Sequence, residues 1–132
     1  MNPQNSTDEY LLLIRGTHWN HGMSPSELQH VMTDFYAWVD RLGKAGIRRG
    51  AQPLVEEGRL VSGLKGATVT DGVFAESKEA IAGYFLIAVG SMDEAVRIAQ
   101  ECPILQYGAA IEVRPIADHC KPMAEIKANS QD

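Results

Sequence analysis

Nowhere in this 132-residue chain does an apolar run last long enough to cross a bilayer. The longest, Tyr84 to Val89, is six residues, where a spanning helix needs about 20, so no membrane partner is expected. The first eight residues, Met1 to Asp8, are polar and hold no basic stretch leading into an apolar one, which speaks against a secretory leader. Cysteine is scarce too. Cys102 and Cys120 form neither a CxxC pair nor a disulfide framework, so free thiols in a reducing cytoplasm are the expectation. Basic residues are few and dispersed: 12 Lys and Arg against 17 Asp and Glu leave a net charge of −5, and Arg48-Arg49 is the short exception. A duplex-binding protein needs a basic face to displace counterions, so no nucleic-acid partner is expected. P-loop, GxGxxG and nucleophile-elbow motifs are missing as well.

What is present fits one folded domain. The chain is 45% apolar and 22% charged, ordinary values for a protein with its own core. A polar N-terminus over 1–8, a folded domain over 9–116 and a polar, aperiodic tail over 117–132 divide it. Glu9 to Arg15 (EYLLLIR) and Gly83 to Val89 (GYFLIAV) read as strands apolar on both faces. Ser24-Pro25-Ser26-Glu27 opens a helix: serine at the N-cap, proline at N1 and glutamate at N3 make a capping box. From there Leu28, Val31, Met32, Phe35, Trp38, Val39 and Leu42 form one apolar stripe over about five turns, stopped by Gly43 and Gly46. Ser91 to Glu94 repeats the capping pattern ahead of a shorter helix with Met92, Ala95, Val96, Ala99 and Cys102 on its buried face. Between the halves, 47–54 reads as a strand, and Arg59 to Leu64 with Ala67 to Thr70 as an inserted hairpin closed by Asp71-Gly72. Residues 73–82 are expected to loop, and Ala109 to Pro115 is the last strand, with Ile111 and Val113 facing one way, Glu112 and Arg114 the other. The order β-α-β, hairpin, β-α-β is that of an α+β, ferredoxin-like βαββαβ fold.

Two helices cover one face of a four-stranded sheet, yet the two apolar strands present side chains to both. Leu12 and Ile14, or else Leu11 and Leu13, plus three residues of the second apolar strand would meet water. Each is worth ~1.5–3 kcal/mol when buried, ample to drive association. A homodimer packed sheet to sheet is therefore expected, unless the hairpin folds back over that face.

The stretch Val69-Thr70-Asp71-Gly72-Val73-Phe74-Ala75-Glu76-Ser77-Lys78-Glu79, followed in order by Gly83 to Ile87, Asp93-Glu94-Ala95, Cys102-Pro103 and Ile111 to Ile116, resembles the YCII-related (DGPF) family from about Tyr10 to Ile116. The resemblance implies a dimeric α+β barrel. It also implies, for the YCII branch, a His-Asp pair with its histidine on the first helix. Ungapped alignment puts Phe35 there, and a phenyl ring moves no proton, so that dyad does not carry over. The proline of the DGPF signature is Val73 here. Relatives of the wider fold include isomerases, dehydrochlorinases and monooxygenases of small ring compounds, and some members are similar to proteins encoded beside, or fused to, alternative sigma factors.

Candidate site residues follow from chemistry. His18 and His21, at HxxH spacing in the loop after the first strand, are readable as an acid–base pair, half a metal site, or packing groups around Trp19. Asp71 with Glu76, Lys78 and Glu79 forms the densest charged cluster, offering a general base in Asp71 or Glu76 and an anion-orienting cation in Lys78, or a pinned turn. Arg15, Arg48 and Arg114 stand on or at the ends of strands and can bind a carboxylate bidentately; Tyr36 and Tyr84 can hydrogen-bond a ligand or belong to the core. Together these give a cytoplasmic, small-molecule-binding homodimer with His18, His21 and Asp71 as proton-transfer groups, Arg15, Glu76, Lys78, Tyr84 and Arg114 toward the substrate, and no cofactor or metal. Whether it is an enzyme of lyase or isomerase type stays open at this level. The competing reading is a non-enzymatic regulatory partner, for example of a sigma factor.

Overall fold

The computed structural model describes residues 8–72, 80–118 and 120–129. Among the described residues, six strands and three α-helices follow in the order β1 (Asp8–Arg15), α1 (Pro25–Lys44), β2 (Arg48–Pro53), β3 (Arg59–Ser62), β4 (Thr68–Asp71), β5 (Ile81–Val89), α2 (Met92–Gln100), β6 (Ala110–Pro115) and α3 (Lys121–Asn129). Four strands make one antiparallel sheet in the order β2-β5-β1-β6, and β3 and β4 form a separate hairpin. Because β1 and β2 each run antiparallel to β5 between them, α1 joins two parallel strands across an intervening one. That is the split βαβ of the ferredoxin-like fold.

Local chemistry sets the elements. Ser24 Oγ accepts from the Glu27 amide at 3.2 Å, and the Glu27 carboxylate accepts from the Ser24 amide at 3.5 Å, so the capping box is complete. At the other end, the amide of Gly46 donates to Gly43 and that of Ile47 to Leu42, at 3.1 and 3.0 Å. This paired closure needs a left-handed residue at its turn, and Gly46 has φ 75°. Helix α2 differs from the expected box in one detail: Ser91 caps the Glu94 amide at 3.1 Å, but the Glu94 carboxylate reaches one residue further back, to Gly90, at 3.0 Å.

The core lies between the helices and one sheet face. Tyr10, Leu12, Ile14, Phe85, Ile87 and Val89 point to that side, against Val31, Trp38 and Leu42 of α1 and Ala95, Ile98 and Ala99 of α2. The α2 stripe is thus rotated from the expected one: Ile98 is buried, while Met92 and Val96 are exposed. The opposite face carries Leu11, Leu13, Tyr84 and Leu86, all half-buried, in register as Leu11↔Leu86 and Leu13↔Tyr84. The hairpin does not fold back to bury itself there, since every residue of β3 and β4 is exposed.

Two boundaries depart from expectation. Strand β5 begins at Ile81, so Ala82 belongs to the sheet rather than to the preceding loop. Lys121–Asn129 form a helix where an aperiodic tail is expected. Pro122 stands in its first turn, where a fixed φ is already helical; with only Met123 and Ile126 as large apolar residues, both exposed, it offers little periodic signal. Among the described residues no helix is long and apolar enough to cross a membrane.

Candidate functional site

A cleft of ≈ 390 Å³ opens under α1 at the β2 edge of the sheet, within the roughly 300–1,000 Å³ range of small-molecule sites. Helix α1 contributes Met32, Phe35, Tyr36 and Val39; β2 contributes Arg48, Ala51, Gln52 and Pro53; β5 contributes residues 82–85; and Trp19, Ile14 and Ile104 complete the wall. The opening follows from side-chain size. Ala51 pairs with Phe85 across the strands, and its small side chain leaves room beneath the aromatic ones. Phe35 forms part of the wall and packs edge-on to Phe85 at 6.1 Å between ring centroids.

The predicted residues separate into three places. His18 and His21 come together: their rings stack with centroids 4.1 Å apart, held by a turn in which the His21 amide donates to the His18 carbonyl at 3.1 Å. Both are exposed, while Trp19 between them reaches the cleft wall. Asp71 is elsewhere, at the base of the hairpin, paired with Arg59 at 3.4 Å. Next to it the Gly72 amide donates to Gly58 at 2.9 Å, so Asp71-Gly72 closes the hairpin. Arg15 and Arg114 do not line the cleft. Both converge on Glu112, with Arg15 Nε donating at 2.7 Å and Arg114 Nη1 at 3.0 Å. Register explains it: Glu112 faces Leu13 and Arg114 faces Leu11, on the face away from α1. Tyr84 borders the cleft, but its pairing with Leu13 turns the side chain to the face away from α1; Glu76 and Lys78 lie outside the described residues. Among the described residues no three His, Cys, Asp or Glu side chains group closely enough to hold a metal ion.

The two arginines hold the Glu112 carboxyl below its ordinary range through their hydrogen bonds and charge. A depressed carboxyl contributes stability above its unfolded pKa and loses it as pH falls through the folded value. Glu112→Gln is therefore expected to lower the urea midpoint at pH 7, with the gap to the parent closing only as pH drops below the ordinary glutamate value near about 4.3. A gap unchanged at pH 2.5 would mean the carboxylate charge is not what matters. Cys102, by contrast, is buried, and burial pushes its thiol up to about 11, so it is no thiolate nucleophile near neutral pH.

The family model described as the YCII-related domain matches residues 9–119. No curated protein matches the chain. Among solved structures, a 5-chloro-2-hydroxyhydroquinone dehydrochlorinase from Burkholderia phenoliruptrix AC1100, in complex with 2,5-dihydroxybenzoquinone, is similar, with 16% sequence identity and a TM-score of 0.46 over 86% of this chain and 97% of that one.

Proposed function

The chain belongs to the YCII-related domain family, and from that premise we propose that it is a homodimeric small-molecule-binding protein whose ligand occupies the cleft under α1. The observation that carries this reading is the cleft wall, in which Trp19, Met32, Phe35, Val39 and Ile104 present apolar surface around a handful of polar groups. Such a wall suits a compact, flat and largely apolar compound. Sheet-to-sheet pairing of two copies would cover Leu11, Leu13, Tyr84 and Leu86 and leave the cleft, on the helix side, accessible.

Chemistry in this site would be acid–base chemistry supplied by the loop. With Phe35 at the helix position, the imidazoles beside Trp19 of the cleft wall are those of His18 and His21. Imidazoles accelerate proton transfer by roughly 10²–10⁴-fold when they meet the substrate. Asp71, tied to Arg59 at the hairpin base, is the weaker candidate for the base.

Ala51→Trp separates this reading from a merely structural cleft. Ala51 is half-buried on the edge strand, so an indole there fills the space without displacing the Trp38 core. In a thermal-shift panel of small aromatic compounds, the parent is expected to gain up to about 2.7 kcal/mol of stability at a hundredfold excess over Kd, and Ala51→Trp to gain none. His18→Ala/His21→Ala is expected to keep the ligand response and lose any turnover. A parent that responds to no compound, or an Ala51→Trp variant that responds as the parent does, removes the cleft as the site.

A further inference from the structure

Building on the reading of the cleft as a ligand site, we propose that Arg48 is its anion receptor and that the ligand carries a carboxylate on a small apolar body. Arg48 opens β2 opposite Ile87, a fully buried residue on the helix side of the sheet. The strand bulges directly after it, so Arg48 runs beneath α1 while Arg49 stays exposed. Its Nε donates to the Val39 carbonyl at 3.3 Å. Its guanidinium lies against Gly43, where a Cβ would stand 2.3 Å from Nη2 and 3.1 Å from Cζ. Glycine weakens a helix interior relative to alanine; at this position its missing side chain is the space the guanidinium fills. The helix is notched to hold this arginine at the cleft.

What the arginine does there follows from its unused donors. A guanidinium carries five N–H groups in a planar fork. Among the described residues Arg48 meets no carboxylate, and its hydrogen bond is the one from Nε. Arg15 and Arg114, the other two strand arginines, converge on Glu112 instead. Arg48 is half-buried beside the apolar wall of Met32, Phe35 and Val39, where charge pairing is stronger than in water. A carboxylate accepts two parallel bonds from such a fork. A neutral ligand of the same shape would leave those donors to water.

Benzoate and benzamide share a ring and differ in charge, and both can be titrated into the full 132-residue chain while the amide resonances of Ala51 and Gly83 are followed by NMR. Benzoate is expected to bind at least tenfold more tightly than benzamide, with the difference shrinking in high salt. Arg48→Gln should bring benzoate to the level of benzamide and leave benzamide unchanged. Because Arg48 also braces α1, Gly43→Ala is the second variant: its methyl evicts the guanidinium while favouring the helix, so the benzoate preference should vanish with no fall in Tm. Equal binding of the two probes to the parent, or a preference that survives in both variants, overturns the anion receptor and leaves the cleft standing. If neither probe moves the cleft resonances of the parent, the ligand site itself is lost and the receptor with it.

Discussion

Trp38→Ala is expected to remove about 3–5 kcal/mol of stability, a large part of the roughly 5–15 kcal/mol that holds a domain of this kind together. Trp38 is fully buried, and its ring centroid lies 5.1 Å from that of Phe85 and 5.8 Å from that of Phe35. Its indole Nε1 donates to the Ile98 carbonyl at 3.3 Å, so one side chain ties α1 to the sheet and to α2. Packing, not this hydrogen bond, carries most of the effect. The Ile98 carbonyl also accepts from the Glu101 amide at 3.1 Å, so losing the indole does not leave it bare and costs at most about 0.5–1.5 kcal/mol. Trp38→Phe, which keeps an aromatic ring and gives up the donor, should therefore lose about 1–2 kcal/mol. Urea unfolding at fixed protein concentration measures both. A Trp38→Ala loss near that of Trp38→Phe would show that the cavity collapses or that the hydrogen bond dominates, contrary to the packing argument.

How far the fold could be read from the residues depended on whether a feature was local. The capping box at Ser24 and the stripe along α1 involve neighbours three and four positions apart; the box is as the sequence reads it, and Val31, Phe35, Trp38, Val39 and Leu42 of the stripe pack in or against the core. The phase of α2 is less determined, because Met92, Ala95, Val96 and Ala99 and the set Ala95, Ile98, Ala99 and Cys102 both recur at helical spacing. The sheet resolves it by taking Ile98, the bulkier side chain, into the core. The site was least legible where strands had to pair first. Glu112 claims Arg15 and Arg114 only once β6 is set beside β1 with Leu13 opposite Glu112, and nothing along the chain announces that register. The cleft has the same origin: Ala51 signals space only when it is known to face Phe85. Arg48 could be suspected as an arginine at a strand end. The notch at Gly43 that seats it reads, in sequence, as an ordinary helix stop.

Leu86→Asp is expected to convert the proposed dimer into a monomer that keeps its fold. Leu86 lies on the sheet face away from α1 and α2, beside Leu11 across the strand pair, and it is half-buried where Phe85 and Ile87, its chain neighbours, are buried against the helices. A two-fold contact uses each residue twice, so the substitution removes two leucines, worth about 1.5–3 kcal/mol apiece if fully buried. It also brings two carboxylates into apolar surroundings, at an effective cost of several kcal/mol each. At about 1.4 kcal/mol per tenfold, the dissociation constant should rise by roughly 10⁴-fold or more. Folding should survive, because in the single chain that carboxylate would face water. Tyr36→Asp, on the exposed side of α1 where Tyr36 is 62% accessible, is the matched control and should leave assembly unchanged. Sedimentation velocity of the three proteins at micromolar concentration decides between the outcomes. A parent that sediments as a monomer would mean that the leucine face is tolerated in water or covered by the chain itself, and the pairing of two sheets would have to be abandoned.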